Sequence, residues 1–152
     1  MASSNLLNLA KIGQLDSVPL SVDLAKRMLA SARRRRRDAE LIQNSPETRF
    51  DCAYTATRVV ADVALHLNGF RTSTSKPGHH QTAVQCLAHT LGVDNATVRI
   101  WDGLRKQRNL SDYDGESVTD AALQEWVRQA QAIVSRIDSV VKAHPAFRGA
   151  GA

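Results

Sequence analysis

The chain has 152 residues, with 20 Lys or Arg against 15 Asp or Glu, for a formal charge of +5 with histidine neutral. That length closes one hydrophobic core without splitting, and 2 cysteines cannot staple a disulfide-built scaffold. The charge favours a polyanionic partner only weakly, because much of the excess comes from one run, Arg33 to Arg37.

The opening MASSNLLNLAKIGQL has too short an apolar run for a signal peptide, and nothing later approaches the roughly eighteen apolar residues of a membrane span. A soluble, cytoplasmic protein without a membrane partner is expected. A short amphipathic helix is expected over Leu6 to Leu15, ended by a Ser-Val-Pro turn, so that 1–19 form an N-terminal helix and turn. The second helix starts near Ser21 and puts Val22, Ala25, Leu29, Ala32, Ala39 and Ile42 on one stripe.

A third helix begins with Ser45 as N-cap, Pro46 at its first position and Glu47 in its first turn. It carries two apolar faces, one with Phe50, Tyr54, Thr57 and Val60, the other with Cys52, Ala56, Val59 and Val63, which makes it the central helix. Gly69 is its stop. After the turn-rich RTSTSKPG, helices are expected at His79 to Leu91, at about Asn95 to Asn109, and from about Thr119 to His144, with Trp126, Ala130, Ile133 and Ile137 in helical register. No segment alternates for long as a strand would. The reading is all-α, an up-and-down bundle of about five helices over 20–145, with a small-residue tail over 146–152 that frays.

Familiar catalytic patterns are missing: there is no glycine-rich phosphate loop, HExxH, CxxC or serine elbow. No metal and no cofactor are expected. Adjacent His79 and His80 do not face one another on a helix and read as a helix-start feature, not a ligand pair. Cys52 and Cys86 sit among apolar neighbours and read as buried, reduced thiols.

Five successive arginines cannot share one helical face, so some of Arg33 to Arg37 approach the bundle. The plain reading is a solvated face paired in part to Asp38 and Glu40; the functional one has Arg33 and Arg36 or Arg37 gripping RNA phosphates. On the central helix, Asp51, Thr55, Arg58 and Asp62 form one polar strip. It is either an internal ion pair of Arg58 with Asp62 or the wall of a polar cleft.

The most informative stretch is LRKQRNLSDYDGES, Leu104 to Ser117. Arg105 and Arg108 are i,i+3 on closing helical turns whose other side carries Ile100, Trp101 and Leu104, and Asn109 to Gly115 reads as the helix end. Here the chain resembles the HEPN family of RNA-associated bundles, whose hallmark is an arginine followed four to six residues later by histidine near the end of a bundle helix. Arg108 is followed by Asn109, and Tyr113 stands where that histidine would be, an Arg-Asn-x-x-[DE]-Tyr-like variant. RFDCAYTATRVVADVALHLNGFR, the loop after it and the GHH turn are similar to the family upstream.

What the resemblance implies is a homodimer whose motif helices meet in a composite cleft and, in active members, cut RNA without a metal. Carried over, Arg108 stabilises phosphate charge, Asn109 orients, Arg105 assists and Tyr113 stands at the acid–base position; Arg33, Arg36 and Arg58, read from the arginine run and the polar strip, are the further RNA-binding candidates. A phenol with a pKa near 10 is a poor general base at neutral pH, so binding survives the change more easily than cleavage. The resemblance also implies a toxin–antitoxin or phage-defence setting, with a nucleotidyltransferase-like or other antitoxin partner. The competing expectation is a non-catalytic interaction protein built on the same bundle.

Overall fold

The structure, a computed structural model, describes residues 3–114 and 118–148, and over 108–114 the backbone alone. Helix α1 spans Ser4–Lys11, with the Ser3 hydroxyl accepting the Leu6 N–H at 3.2 Å. It is shorter than the expected Leu6 to Leu15. The chain leaves the helix through Gly13, at φ +80, and Leu15–Ser17 becomes strand β1.

Strand β1 pairs antiparallel with β2, Phe70–Thr72, in the register Leu15 with Thr72 and Ser17 with Phe70. Leu15 and Phe70 turn inward and are buried. Three-residue strands are too short for alternation to betray them, which is why an otherwise helical reading overlooks this ribbon.

Helix α2, Val22–Glu40, is capped by the Ser21 hydroxyl on the Leu24 N–H and buries Ala25, Leu29, Ala32 and Ala39. It stops at Glu40, so Ile42, expected on the apolar stripe, falls in the following turn and is 80% exposed. Helix α3, Pro46–Leu67, starts as its sequence dictates, with Ser45 capping the Thr48 N–H and proline at the first turn. It ends where Gly69 takes φ +84, a conformation that favours glycine and swings the chain into β2.

The expected helix over His79 to Leu91 breaks at Cys86 into α4, His79–Gln85, and α5, Leu87–Thr90. Helix α6 runs Asn95–Asp114 and so continues through the segment expected to be its end. Helix α7, Asp120–Ala143, is capped by Thr119, and beyond it Pro145–Phe147 form a 3-10 turn where fraying was expected. Phe147 there lines a surface pocket with Leu29 and Val141.

The architecture is an all-α bundle with α3 at its centre. Helices α2 and α7 pack on α3 and on each other, while α4, α5, α6 and β2 also pack on α3. Trp126 of α7 stacks on Phe50 at 5.8 Å and on Tyr54 at 6.1 Å between ring centroids, joining α3 to α7 by aromatic contact. Trp101, Leu104, Trp126, Ile133 and Ile137 are buried as their spacing predicts. Ile100, placed on the same side as Trp101, is instead 41% exposed.

Candidate functional site

Four of the arginines expected to meet RNA, Arg33, Arg36, Arg58 and Arg105, are each tied to a carboxylate of the same chain. Arg33 Nη2 lies 2.5 Å from Asp138 Oδ1, joining α2 to α7. Arg36 pairs with Glu40 at 3.3 Å one turn on, and Glu40 also accepts the Gln131 side-chain amide. Arg34, Arg35 and Arg37, by contrast, are exposed. The run therefore divides as helix geometry requires, Arg33 and Arg36 turned to neighbouring carboxylates, Arg35 exposed but reaching the Cys52 side chain, and Arg34 and Arg37 outward.

Arg58 pairs with Asp62 at 3.3 Å, as the i,i+4 spacing predicts. Arg105 pairs with Asp102 at 3.1 Å, and Asp102 also takes Lys106 at 3.4 Å and the Gln81 amide of α4 at 3.3 Å. Although burial acts to raise it, those hydrogen bonds from Arg105 and Lys106 hold the Asp102 carboxyl below the usual carboxylate value. Arg105 lines a narrow pocket with Tyr54, Thr57, Gln81, Trp101 and Trp126. Its Nε and the Nε1 atoms of Trp101 and Trp126 are buried without an acceptor in the described residues.

The motif itself falls on α6, whose backbone is helical through Asp114. Positions 105, 109 and 113 therefore succeed one another at four-residue spacing on one continuous helix, with 108 beside 105. The side chains of Arg108, Asn109 and Tyr113 lie outside the described residues.

A second arrangement was not assembled by sequence reasoning. The start of α2, the last turns of α3, β2 and the start of α4 enclose a cleft of about 410 Å³. Its α2 side is apolar, with Val18, Pro19, Leu24 and Met28; the other side carries Asp62, His66, Arg71, Thr72, His79 and His80. Of the two readings of the polar strip on α3, both hold in part: Arg58 and Asp62 form the ion pair, and Asp62 lines the cleft.

His66 Nε2 lies 2.9 Å from the Ser21 backbone nitrogen and 3.3 Å from the Ser21 carbonyl oxygen, which ties the end of α3 to the start of α2. Burial pushes the Asp62 carboxyl above the usual carboxylate value, against the lowering pull of Arg58 and His79. The His79 and His80 rings lie 4.1 Å apart between centroids, tilted at 53°. They begin α4, as expected, and they also wall the cleft. The signals in the sequence were this histidine pair and the polar strip with Asp62; Val18, Asp62 and Arg71 come from separate segments with no common spacing.

Among the described residues no group of three or more His, Cys, Asp and Glu side chains is placed to hold a metal ion. Cys52 and Cys86 are buried free thiols, and burial pushes Cys86 up to about 11. No helix of the described residues is long and apolar enough to cross a membrane. No family model, no curated protein and no solved structure matches the chain.

Proposed function

We propose that this chain is an RNA-binding bundle of HEPN type that works as a homodimer, with α6 at the shared cleft. The observation that carries the reading is the Arg105, Arg108, Asn109 and Tyr113 pattern on one continuous helix of an all-α bundle. Arg108 takes the phosphate, Asn109 orients it, and Tyr113 donates a hydrogen bond. Cleavage is the smaller part of the proposal, because a phenol exchanges protons poorly near neutral pH. The setting that accompanies this reading is a toxin–antitoxin or defence module with a nucleotidyltransferase-like partner.

Phosphate contacts on α2 fall to the exposed Arg34 and Arg37, since Arg33 and Arg36 would first have to leave Asp138 and Glu40, and Arg35 the Cys52 side chain. The test is single-stranded RNA binding across a salt series. Arg34→Glu with Arg37→Glu should weaken binding and flatten the slope of log affinity against log salt by about 1.4, two contacts at about 0.7 each. Arg108→Ala should weaken it further with the fold intact. Wild-type protein that is monomeric by light scattering at micromolar concentration and binds no RNA at low salt would end the proposal.

A second reading, a non-catalytic protein-binding bundle, draws on one observation: Leu41 and Ile42 stand side by side in the α2–α3 turn, 48% and 80% exposed. Pull-down of a partner lost on Leu41→Ser with Ile42→Ser, from a chain that ignores RNA, would favour it.

A further inference from the structure

We propose that the cleft between α2, α3, β2 and α4 takes a guanine base, its Watson–Crick edge on the Asp62 carboxylate and its ring between the His79–His80 pair and the apolar wall at Leu24 and Met28. The inference rests on the RNA reading above for the source of the base, an unstacked nucleotide of a single strand, but its chemistry is that of the cleft.

Size comes first. About 410 Å³ falls within the range of roughly 300–1,000 Å³ typical of small-ligand pockets, which are apolar bodies with a few placed polar groups. The cleft has that character. Leu24 and Met28 line it from α2 and two imidazoles, tilted 53° to one another, line it from α4, apolar and aromatic surface of the kind on which unpaired bases stack in RNA-binding proteins.

The polar edge selects among bases. An ionised carboxylate accepts and never donates, so it matches a base edge that offers neighbouring N–H groups. Guanine alone offers two, N1–H and the N2 amino group; adenine and cytosine set one donor beside an acceptor, and uracil flanks its single N–H with oxygens. Asp62 receives one guanidinium hydrogen bond, at Oδ2 from Arg58, and its burial makes further donors favourable. His66 is buried, with Nε2 against the Ser21 backbone, and acts as wall. At the rim, Arg71 is 68% exposed and only loosely paired with Asp16 at 3.8 Å, placed to meet the phosphate of the same nucleotide.

The experiment uses the full chain with guanosine and adenosine monophosphates, and with short single-stranded RNAs differing only in one G or A. Guanine should be preferred about tenfold, the scale of one good bidentate contact. Asp62→Asn, with one donor and one acceptor, should erase that preference or turn it towards adenine. Leu24→Trp, at a position 38% exposed and outside the core, should close the cleft and abolish nucleotide binding with the helical signal unchanged.

RNA bound equally well with G or A, and untouched by Leu24→Trp, would overturn the base site and leave the RNA reading standing. Guanosine monophosphate bound in an Asp62-dependent way by a chain that binds no RNA would support the base site and remove the RNA reading. Neither nucleotide nor RNA bound would overturn both.

Discussion

Two arginine–aspartate pairs flank α4, and they are built in opposite ways. On the α6 side, Asp102 gathers Arg105, Lys106 and Gln81 beside a pocket holding only about 10 Å³, closed by Trp101 and Trp126. On the α3 side, Asp62 has the Arg58 guanidinium and faces a cleft of about 410 Å³. The carboxyls shift in opposite directions, Asp102 down and Asp62 up. The lesson is that an ion pair by itself does not set the sign: burial is outweighed by Arg105 and Lys106 together at one aspartate, and outweighs Arg58 and His79 at the other. The closed side is built to hold, and the open side keeps an acceptor in reserve.

The strongest way to break that contrast is to open the closed side. Trp126→Ala removes the ring that stacks on Phe50 and Tyr54 and should cost about 3–5 kcal/mol in chemical denaturation. A loss below about 1 kcal/mol would mean that the aromatic cluster does not close this side.

Cys86 sharpens the comparison without a mutation. It ends α4, is buried, and has its thiol pushed up to about 11 from 9.0. Two units leave about a hundredfold less thiolate at pH 8, so alkylation in the native protein should be slower than in urea by at least that factor. Native and denatured rates within tenfold of each other would show that this side breathes open.

The smallest effect concerns pH, and its sign is the point. Asp62 holds its proton more tightly folded than its ordinary 3.8, so stability falls as pH rises from 3.8 through the folded value. Asp102 is lowered, so its contribution is present above 3.8 and lost as pH falls through the folded value. Asp62→Asn should therefore flatten a decline above pH 3.8, and Asp102→Asn a decline below it. Each effect should stay under about 1 kcal/mol at these partly exposed groups. Changes of the same sign in both variants would contradict the balance of donors against burial.

Helix starts were legible in the sequence because capping is local chemistry: Ser21, Ser45 with Pro46, and Thr119 cap where their side chains reach their own next turn. The pairs Arg36 with Glu40 and Arg58 with Asp62 were legible for the same reason, being one turn apart. What stayed hidden is held across long stretches of chain. Asp138 lies far from Arg33 in sequence, so an arginine open to phosphate could not be told from one already held. Ile42 misled because apolar periodicity does not say where a helix stops, and Leu41 leaves helical geometry at ψ 111. The cleft needed β2 to carry Arg71 beside Asp62, and a three-residue strand leaves no periodic trace.

The short ribbon of β1 and β2 brackets the whole of α2 and α3. Its few hydrogen bonds are too weak to meet the loop-closure entropy of so long a segment alone. The α2–α3 hairpin, joined by a short turn and packed along its length, has no such distance to cross. The ribbon is therefore expected to shut as a clasp after the hairpin has docked, with its amides exchanging faster than those of α3. Val18, Arg71 and Thr72 line the cleft from this ribbon and its exit, so on that expectation the cleft is among the last features of the chain to assemble and the first to be lost when the clasp opens.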